Sequence, residues 1–284
     1  MTPAGDIGVW SPQLREADAH EVAAAAAELE ELGYGAIWVP GREHDDLEER
    51  LRLLLAGTER ITVATGIVSI WTHPASTTAT LHARLTSEFR GRFLLGLGVS
   101  HAPAVGDAYR KPLTAMARYL DALDAADPPV PRTERVLAAL APRMLALARE
   151  RALGSHPYLV TPEHTRIARA ALGPDARLAP EQTVVLEEDA NVARTVARQW
   201  LAPYLQLPNY ADNWVRIGFD RADVENGASD RLVDALVAWG GADAVRARVE
   251  AHLAAGADEV AIQIVTSDLA KLPREQWRRL ATAV

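Results

Sequence analysis

Short apolar runs alternate with helix-forming segments along the chain, and this alternation limits the possible folds more than any other feature of the sequence. Strands that alternate with helices are typical of α/β proteins with parallel strands. Eight strands, each followed by a helix, predict a closed (β/α)8 TIM barrel. The predicted strands are "IGVW" at 7–10, "AIWV" at 36–39, "ITVATGI" at 61–67, "FLLGLG" at 93–98, "RVLAAL" at 135–140, "PYLV" at 157–160, "TVVLEE" at 183–188 and "EVAIQI" at 259–264.

A doubly wound sheet is the main alternative within the α/β class. Such a sheet usually has fewer strands and often a glycine-rich first turn. No G-x-G-x-x-G motif follows the first predicted strand, so the barrel is the better prediction. The predicted helices lie at about 17–32, 45–56, 75–89, 113–125, 142–153, 162–172 and 190–205, with a last helix from Pro273.

One segment, residues 206–257, breaks the regular alternation. It contains turn residues and aromatic residues, and helices are predicted within it at about 229–239 and 242–255. We interpret it as an insertion before the last strand of a single barrel domain that covers residues 1–284. It could serve as a lid, as an oligomer contact or as a packed surface segment.

Composition excludes several classes of protein. The 284 residues contain no cysteine, which excludes disulfides, thiolate nucleophiles and cysteine-ligated metals. The net charge of −8 argues against a nucleic-acid partner. Residues 1–10 lack the layout of a signal peptide, and no apolar run reaches the roughly 20 residues that span a membrane. We expect a cytoplasmic protein with a small-molecule substrate, either a monomer or a homodimer.

The active site of such a barrel lies at the carboxyl ends of its strands. The two lysines, Lys111 and Lys271, are poorly placed for a Schiff base there. No cluster with metal-ligand spacing occurs, so no metal site is predicted. Tryptophans and one histidine, His101, remain at the strand ends. This set suits a flat, hydrophobic cofactor that carries the chemistry itself.

Several motifs resemble one enzyme family. They are "ELGYGAIWVP" at 31–40, "ATGIVSIWTHPA" at 64–75, "RFLLGLGVSHAP" at 92–103, "RVLAALAPRMLALARERALGSHPYLVTPEH" at 135–164 and "HLAAGADEVAIQI" at 252–264. Together they resemble the luciferase-like monooxygenase superfamily, and within it the oxidoreductases that depend on coenzyme F420, a deazaflavin. The resemblance covers nearly the whole chain. It implies F420 as the cofactor, with FMN as the alternative.

The resemblance also implies where the cofactor binds. A cis peptide bond that is not followed by proline is expected at Gly66–Ile67, against the middle ring of the cofactor. The cofactor phosphate is expected at the start of the helix after strand five, where Pro142 begins the helix and Arg143 adds charge. The full set of predicted cofactor-binding residues is Gly66, Ile67, Ser69, Trp71, Gly98, Ser100, Ala141, Pro142, Arg143, Met144, Leu159, Val160 and Thr161.

Two of these interpretations have simpler alternatives. The helix at Pro142 could be an ordinary proline-started helix without an anion. A second anion site could lie at Thr161, although a threonine before a helix-starting proline also serves as an N-cap alone.

The predicted catalytic residue is His101. Histidine exchanges a proton near neutral pH, so it could be a general acid/base or a hydrogen-bond donor to the substrate. The alternative is a structural histidine that caps the loop after strand four. Gly96 and Gly98 are expected to keep the space beneath the cofactor clear, and Ser100 to fix the turn before the histidine. The histidines of three predicted helices, His20, His82 and His252, are expected at the surface.

The chain departs from the family pattern after the second strand. Well-known deazaflavin dehydrogenases carry an Asp-His or similar pair there, whereas this chain has Pro40 and Gly41. Glu43 or His44 could take over that role. The expected function is hydride transfer between F420 and a small organic substrate. An FMN-dependent monooxygenase and a cofactor-binding barrel without turnover are the alternatives.

Overall fold

A computed structural model of the chain describes residues 6–41 and 46–282. Its strands form one parallel sheet of ten strands, in the order β7-β6-β5-β4-β3-β2-β1-β10-β8-β9. The strands are β1 (Ile7–Trp10), β2 (Ala36–Gly41), β3 (Thr62–Ser69), β4 (Phe93–Gly98), β5 (Arg135–Leu137), β6 (Gly154–Ser155), β7 (Arg177–Leu178), β8 (Glu181–Val185), β9 (Val237–Trp239) and β10 (Val260–Ile264).

Helices connect the strands. They are α1 (Gln13–Glu16), α2 (Ala19–Glu31), α3 (Leu47–Ala56), α4 (Ala75–Glu88), α5 (Ala102–Val105), α6 (Pro112–Asp124), α7 (Pro142–Arg151), α8 (Pro162–Leu172), α9 (Ala190–Leu205), α10 (Pro208–Arg216), α11 (Arg221–Val224), α12 (Asp230–Leu236), α13 (Ala242–Ala254) and α14 (Arg274–Ala281). Among the residues that the structure describes, no helix is long and apolar enough to cross a membrane.

The sheet is curled, and the segment from β7 to the start of β8 makes backbone hydrogen bonds on both of its sides. On one side, the Ala179 N–H donates to the Ser155 carbonyl at 3.0 Å. On the other, the Ala261 N–H donates to the Pro180 carbonyl at 2.9 Å. This segment therefore connects the β6 side of the sheet to β10.

The first four predicted strands are confirmed, and the sixth is wrong. The predicted strand at 157–160 is a loop, and the observed strand is the short β6 just before it. Leu159 adopts a left-handed φ of 52°, and proline at 157 has no N–H to give to a sheet. The predicted fifth strand is also shorter than expected and ends at Leu137.

The second half of the sheet also differs from the prediction. The predicted strand at 183–188 begins earlier, at Glu181, and β7 precedes it. The predicted helix at 229–239 ends at Leu236, and its last three residues form β9, which pairs with β8. The sheet therefore has ten strands where the sequence predicted eight.

Most of the hydrophobic core lies between the sheet and the helices, because parallel strands are covered on both faces. A separate cluster fills the inside of the curled sheet and includes Trp10, Trp38 and Val136. Trp38 stacks on His156 at 3.9 Å between ring centroids and donates its indole N–H to Glu259 Oε1 at 2.6 Å. The Trp38 indole and the Arg177 guanidinium, which pairs with Oε2, together satisfy the buried carboxylate of Glu259.

The predicted insertion packs as a fixed part of the fold. Helices α9, α10 and α12 and strand β9 surround a second hydrophobic cluster. Trp214 of α10 is fully buried, and its indole N–H donates to the carbonyl of Leu159 at 3.1 Å. Helix α10 is thereby attached to the loop that follows β6.

Two histidines predicted at the surface are buried. His82 is 3% exposed and His252 is fully buried, so the surface prediction is wrong for both, whereas His20 is exposed as expected. His252 contacts the Thr165 hydroxyl through Nδ1 at 2.8 Å and Gln182 Oε1 through Nε2 at 3.0 Å. Burial, with the charges of Arg248 and His164, lowers the pKa of His252 to about 3.

His252 is expected to make the protein less stable in mild acid. Below pH 6.5 the unfolded chain protonates this histidine and the folded chain does not, so stability is lost as pH falls toward 3. Between pH 7 and 5 the loss from this residue is about 2 kcal/mol. Urea unfolding at both pH values measures it. The pH-dependent loss should shrink by that amount in His252→Gln and stay unchanged in the exposed control His20→Gln.

Candidate active site

A cavity of about 770 Å³ opens at the carboxyl ends of the strands. It lies between the ends of β1 to β6 and helix α10. Its lining residues are Trp10, Pro40, Gly66, Ile67, Gly98, Val99, Ser100, His101, Ala104, Tyr109, Pro112, Leu113, Ala138, Ala139, Leu140, Ala141, Arg143, Met144, His156, Tyr158, Tyr204, Asn209, Tyr210, Asp212 and Arg216. The lining is mostly apolar and aromatic, which is typical of small-molecule and cofactor sites.

The cavity brings together most of the predicted site residues. Those that line it are Gly66, Ile67, Gly98, Ser100, His101, Ala141, Arg143 and Met144. Six other predicted residues do not line it, namely Ser69, Trp71, Pro142, Leu159, Val160 and Thr161. Glu43 and His44 lie outside the described residues, while Pro40 lines the cavity.

The Gly66–Ile67 peptide bond is cis, as predicted. A Cβ at position 66 would lie 2.3 Å from Trp10 Nε1 and 3.1 Å from His156 Nε2. Only glycine fits this contact, since real side-chain carbons do not approach within 3 Å of a buried ring. At position 66 the floor of the cavity is therefore backbone rather than side chain.

Two buried nitrogens beside this floor have no hydrogen-bond partner within the described residues. They are Trp10 Nε1 and His156 Nε2. The other ring nitrogen of His156, Nδ1, lies 2.6 Å from the Ala179 carbonyl, so it carries the proton and Nε2 is an acceptor. Burial lowers the pKa of His156 to about 4, so the ring is neutral at pH 7.

The two glycines of β4 have different roles. A Cβ at Gly98 would meet Ile67 Cδ1 at 2.5 Å, so this glycine makes room for the side chain of the cavity floor. A Cβ at Gly96 would meet the Thr65 carbonyl at 1.9 Å. Gly96 therefore permits close approach of β4 to β3, and the prediction that it clears space under a cofactor is wrong.

Ser69 and Trp71 support the cavity wall from outside. The Trp71 indole N–H donates to the Val99 carbonyl at 2.6 Å, and its ring lies 5.8 Å from that of Tyr109. Val99 and Tyr109 both line the cavity. Trp71 itself lies beside Tyr109 and does not line the cavity.

The start of α7 gives the cavity a positively charged end. Ala141 is the N-cap and has no side-chain cap, and the exposed Arg143 lines the cavity beside it. Arg216 of α10 lines the same cavity. Near it, the His164 ring contacts the Leu140 carbonyl at 3.0 Å; burial lowers the pKa of this histidine, and the positive charge of Arg216 lowers it further. Two arginines and a helix N-terminus therefore give this end of the cavity a positive electrostatic potential.

At the second predicted anion site, a side chain of the protein itself caps the helix. The Thr161 hydroxyl accepts the His164 N–H at 3.3 Å at the start of α8. Leu159 and Val160 are buried. The Leu159 N–H donates to Glu181 Oε2 at 3.0 Å, and burial raises the pKa of that carboxyl to about 7. These residues hold the loop after β6 in place rather than line the cavity.

His101 faces helix α10. Its Nδ1 lies 3.1 Å from Asn209 Oδ1, and its ring lies 5.2 Å from that of Tyr210. The His101 carbonyl accepts the N–H groups of Ala104 and Val105. Within the described chain its side chain makes no capping hydrogen bond, so the backbone rather than the imidazole caps α5. Burial lowers the pKa of His101, and its hydrogen bond to the Asn209 side-chain oxygen offsets part of this effect.

Three tyrosines line the cavity near His101. The Tyr158 hydroxyl donates to Gln263 Oε1 at 2.7 Å and lies 3.3 Å from the Tyr204 hydroxyl. Tyr210 packs against both rings, at 6.3 and 5.6 Å between centroids. Burial raises the pKa of Tyr158 and of Tyr210 well above 10, so both are neutral hydroxyls at physiological pH.

Sequence reasoning missed the contribution of α10. Asn209 and His101 are 108 positions apart, and no local pattern connects them. One signal was present: Asn209, Asp212 and Arg216 stand at i, i+3 and i+7, which places polar groups on one face of a helix. The opposite side carries the buried Ala211 and Trp214.

No group of three or more His, Asp or Glu side chains within the described ranges 6–41 and 46–282 is arranged to hold a metal ion. The described cavity instead combines a flat glycine floor, a positively charged end and one histidine beside an aromatic wall. This arrangement suits a planar, anionic organic cofactor and a substrate that exchanges a proton with the histidine.

A family model described as "Luciferase-like monooxygenase" matches residues 6–259. None of the curated protein sequences compared with the chain is significantly similar to it.

Solved structures share the fold at low sequence identity. An F420-dependent secondary alcohol dehydrogenase in complex with an F420–acetone adduct is 12% identical, with a TM-score of 0.73 and 98% of each chain covered. A coenzyme F420-dependent tetrahydromethanopterin reductase from Methanopyrus kandleri is 16% identical, with a TM-score of 0.72 and the same coverage. The oxygenating component of 3,6-diketocamphane monooxygenase from Pseudomonas putida, in complex with FMN, is 14% identical, with a TM-score of 0.68 and coverage of 97% and 95%.

Proposed function

Because the chain belongs to the luciferase-like monooxygenase family, we propose that it is an oxidoreductase that transfers a hydride between coenzyme F420 and a small organic substrate. The observation that carries this proposal is the cavity itself, which is lined by two glycines of the strands, by the start of α7 with Arg143, and by His101. When bound, the deazaflavin supplies two-electron hydride chemistry. The side chains of the protein bind it, exclude water and manage a proton.

The cavity floor supports the proposed position of the planar ring. Gly66 and Gly98 present backbone there, and Ile67 projects an apolar side chain between them. The unpartnered nitrogens of Trp10 and His156 lie against this floor.

The start of α7 supports the proposed position of the cofactor phosphate. The N–H groups of the first turn, the helix dipole and Arg143 all favour an anion there. Arg216 adds a second guanidinium from α10. Asp212 also lines the cavity, but Arg221 donates to its carboxylate at 2.9 Å and offsets its charge.

Arg143→Glu is expected to weaken F420 binding by about 1–3 kcal/mol, which is roughly a 5- to 150-fold loss of affinity. The substitution replaces an attractive charge with a repulsive one at the helix start. Fluorescence titration of the purified protein measures the change. Arg149→Glu is the matched control, since it makes the same charge change in the last turn of the same helix. Equal affinities of the two variants would place the phosphate elsewhere.

We propose that the curled sheet of ten strands closes into a barrel. We read β7 and β8 as one barrel strand interrupted at Ala179 and Pro180, because hydrogen bonds leave this segment on both sides. On this reading the protein is a (β/α)8 barrel in which β9 and its neighbouring helices are an addition before the last strand.

Turnover is the test of the proposed reaction. Purified protein is mixed with oxidised F420 and a panel of alcohols, and with reduced F420 and a panel of ketones and enones, and the deazaflavin absorbance is followed. Substrate-dependent change in that absorbance is the expected result. FMN-dependent oxygen consumption would favour the monooxygenase alternative. Tight cofactor binding without turnover by any substrate would favour a binding protein.

A further inference from the structure

A contact between two distant parts of the chain determines which nitrogen of His101 is free. Asn209 is the second residue of α10, and its Oδ1 lies 3.1 Å from His101 Nδ1. An amide oxygen accepts hydrogen bonds and does not donate them. Nδ1 must therefore carry the proton in this contact, which leaves Nε2 as the nitrogen with a lone pair.

Asn209 is itself held firmly. The next turn of α10 is anchored by the fully buried side chains of Asn213 and Trp214. Trp214 donates to the Leu159 carbonyl, and Tyr210 stacks on Trp214 at 5.9 Å between centroids. The backbone of α10 thus fixes the position of the amide, and the amide in turn orients the imidazole.

We propose that Asn209 is a positioning residue that holds His101 in the Nδ1–H form and presents Nε2 to the ligand in the cavity. The role resembles that of the group that orients a catalytic histidine in other enzymes, where the partner of one ring nitrogen sets the state of the other. The inference rests on the acid/base role of His101 under the proposed function. It assigns part of the active site to α10, in the segment that the sequence marked as an insertion.

The direct test is nitrogen NMR of protein labelled at histidine, recorded without cofactor. Protonated and bare imidazole nitrogens have well-separated shifts, and His101→Gln identifies the signals. We expect a protonated Nδ1 and a bare Nε2 for neutral His101. A protonated Nε2 would overturn the proposal, because Asn209 would then be donating its amide N–H to Nδ1.

Two variants test the contact from opposite directions. Asn209→Leu removes a hydrogen bond that favours the charged imidazole, so the pKa of His101 should fall further and the Nε2–H form should appear. Asn209→Asp places a carboxylate against Nδ1, so the pKa should rise by about 1–2 units. Asn226→Asp, the same change at an exposed turn of the same segment, should leave the pKa unchanged.

An unchanged tautomer and pKa in both Asn209 variants would also overturn the proposal. The NMR measurement needs neither cofactor nor substrate. If F420 does not bind, the proposed function is wrong, but the NMR result still decides the role of Asn209. Where turnover is measurable, the acid limb of the pH–rate profile should move to higher pH in Asn209→Asp.

Discussion

Replacing His101 with alanine is expected to lower kcat by about 10²–10⁴-fold, the range for a general acid/base, while folding and F420 affinity change little. The backbone carbonyl of His101 caps α5, and alanine keeps that contact. Among the described residues that line the cavity, His156 is the one other histidine. Its pKa of about 4 and its buried Nε2 exclude it from proton exchange near neutral pH.

The pH–rate profile gives this prediction a second readout. Burial holds the pKa of His101 below 6.5, so in the direction where the histidine is a base, activity should fall as pH drops below that pKa. His101→Ala should lose this limb, and His101→Gln should recover part of the rate if hydrogen bonding contributes. The exposed His20→Ala is the control. Full activity of His101→Ala would show that the histidine has only a structural role.

Gly66→Ala is expected to weaken F420 binding strongly. The added methyl group would lie 2.3 Å from Trp10 Nε1, and Trp10 is only 7% exposed, so the indole must move into the cavity or the floor must shift. Overpacking of this kind costs about 1–3 kcal/mol of the free energy of unfolding. The affinity loss should be at least about tenfold, which corresponds to 1.4 kcal/mol.

Gly241→Ala is the matched control for this substitution. A Cβ there would meet only the carboxylate end of Glu188, at 3.2 Å, and a side-chain end can move. Urea unfolding and cofactor titration of the two variants separate the two effects. Wild-type affinity in a folded Gly66→Ala variant would mean that the cofactor does not lie on this floor.

The elements that the sequence predicted well are those whose signal is local. Strands β1 to β4 are short, mostly apolar runs separated by helix-forming segments, and such a run is recognisable without long-range context. Strand β6 is only Gly154–Ser155 and has no apolar signal, while the apolar loop at 157–160 imitated a strand. Residues 237–239 continue the apolar pattern of α12, and only their pairing with β8 makes them a strand.

The residues of the site also differ in how well the sequence predicts them. The cis bond at Gly66, the start of α7 and His101 follow from motifs that resemble a family, and the structure brings them to one cavity. Asn209 and Arg216 reach the cavity through the packing of α10 on a second hydrophobic cluster. That packing depends on contacts such as the one between Trp214 and Leu159, which are 55 positions apart and which no short window of the sequence contains.

Titration of the purified protein with F420 and with FMN tests the central proposal most directly. We expect saturable binding of one F420 per chain, tighter than that of FMN, weakened by Arg143→Glu and unaffected by Arg149→Glu. Tighter binding of FMN than of F420, or no binding of F420 to the folded protein, would contradict a deazaflavin site in this cavity.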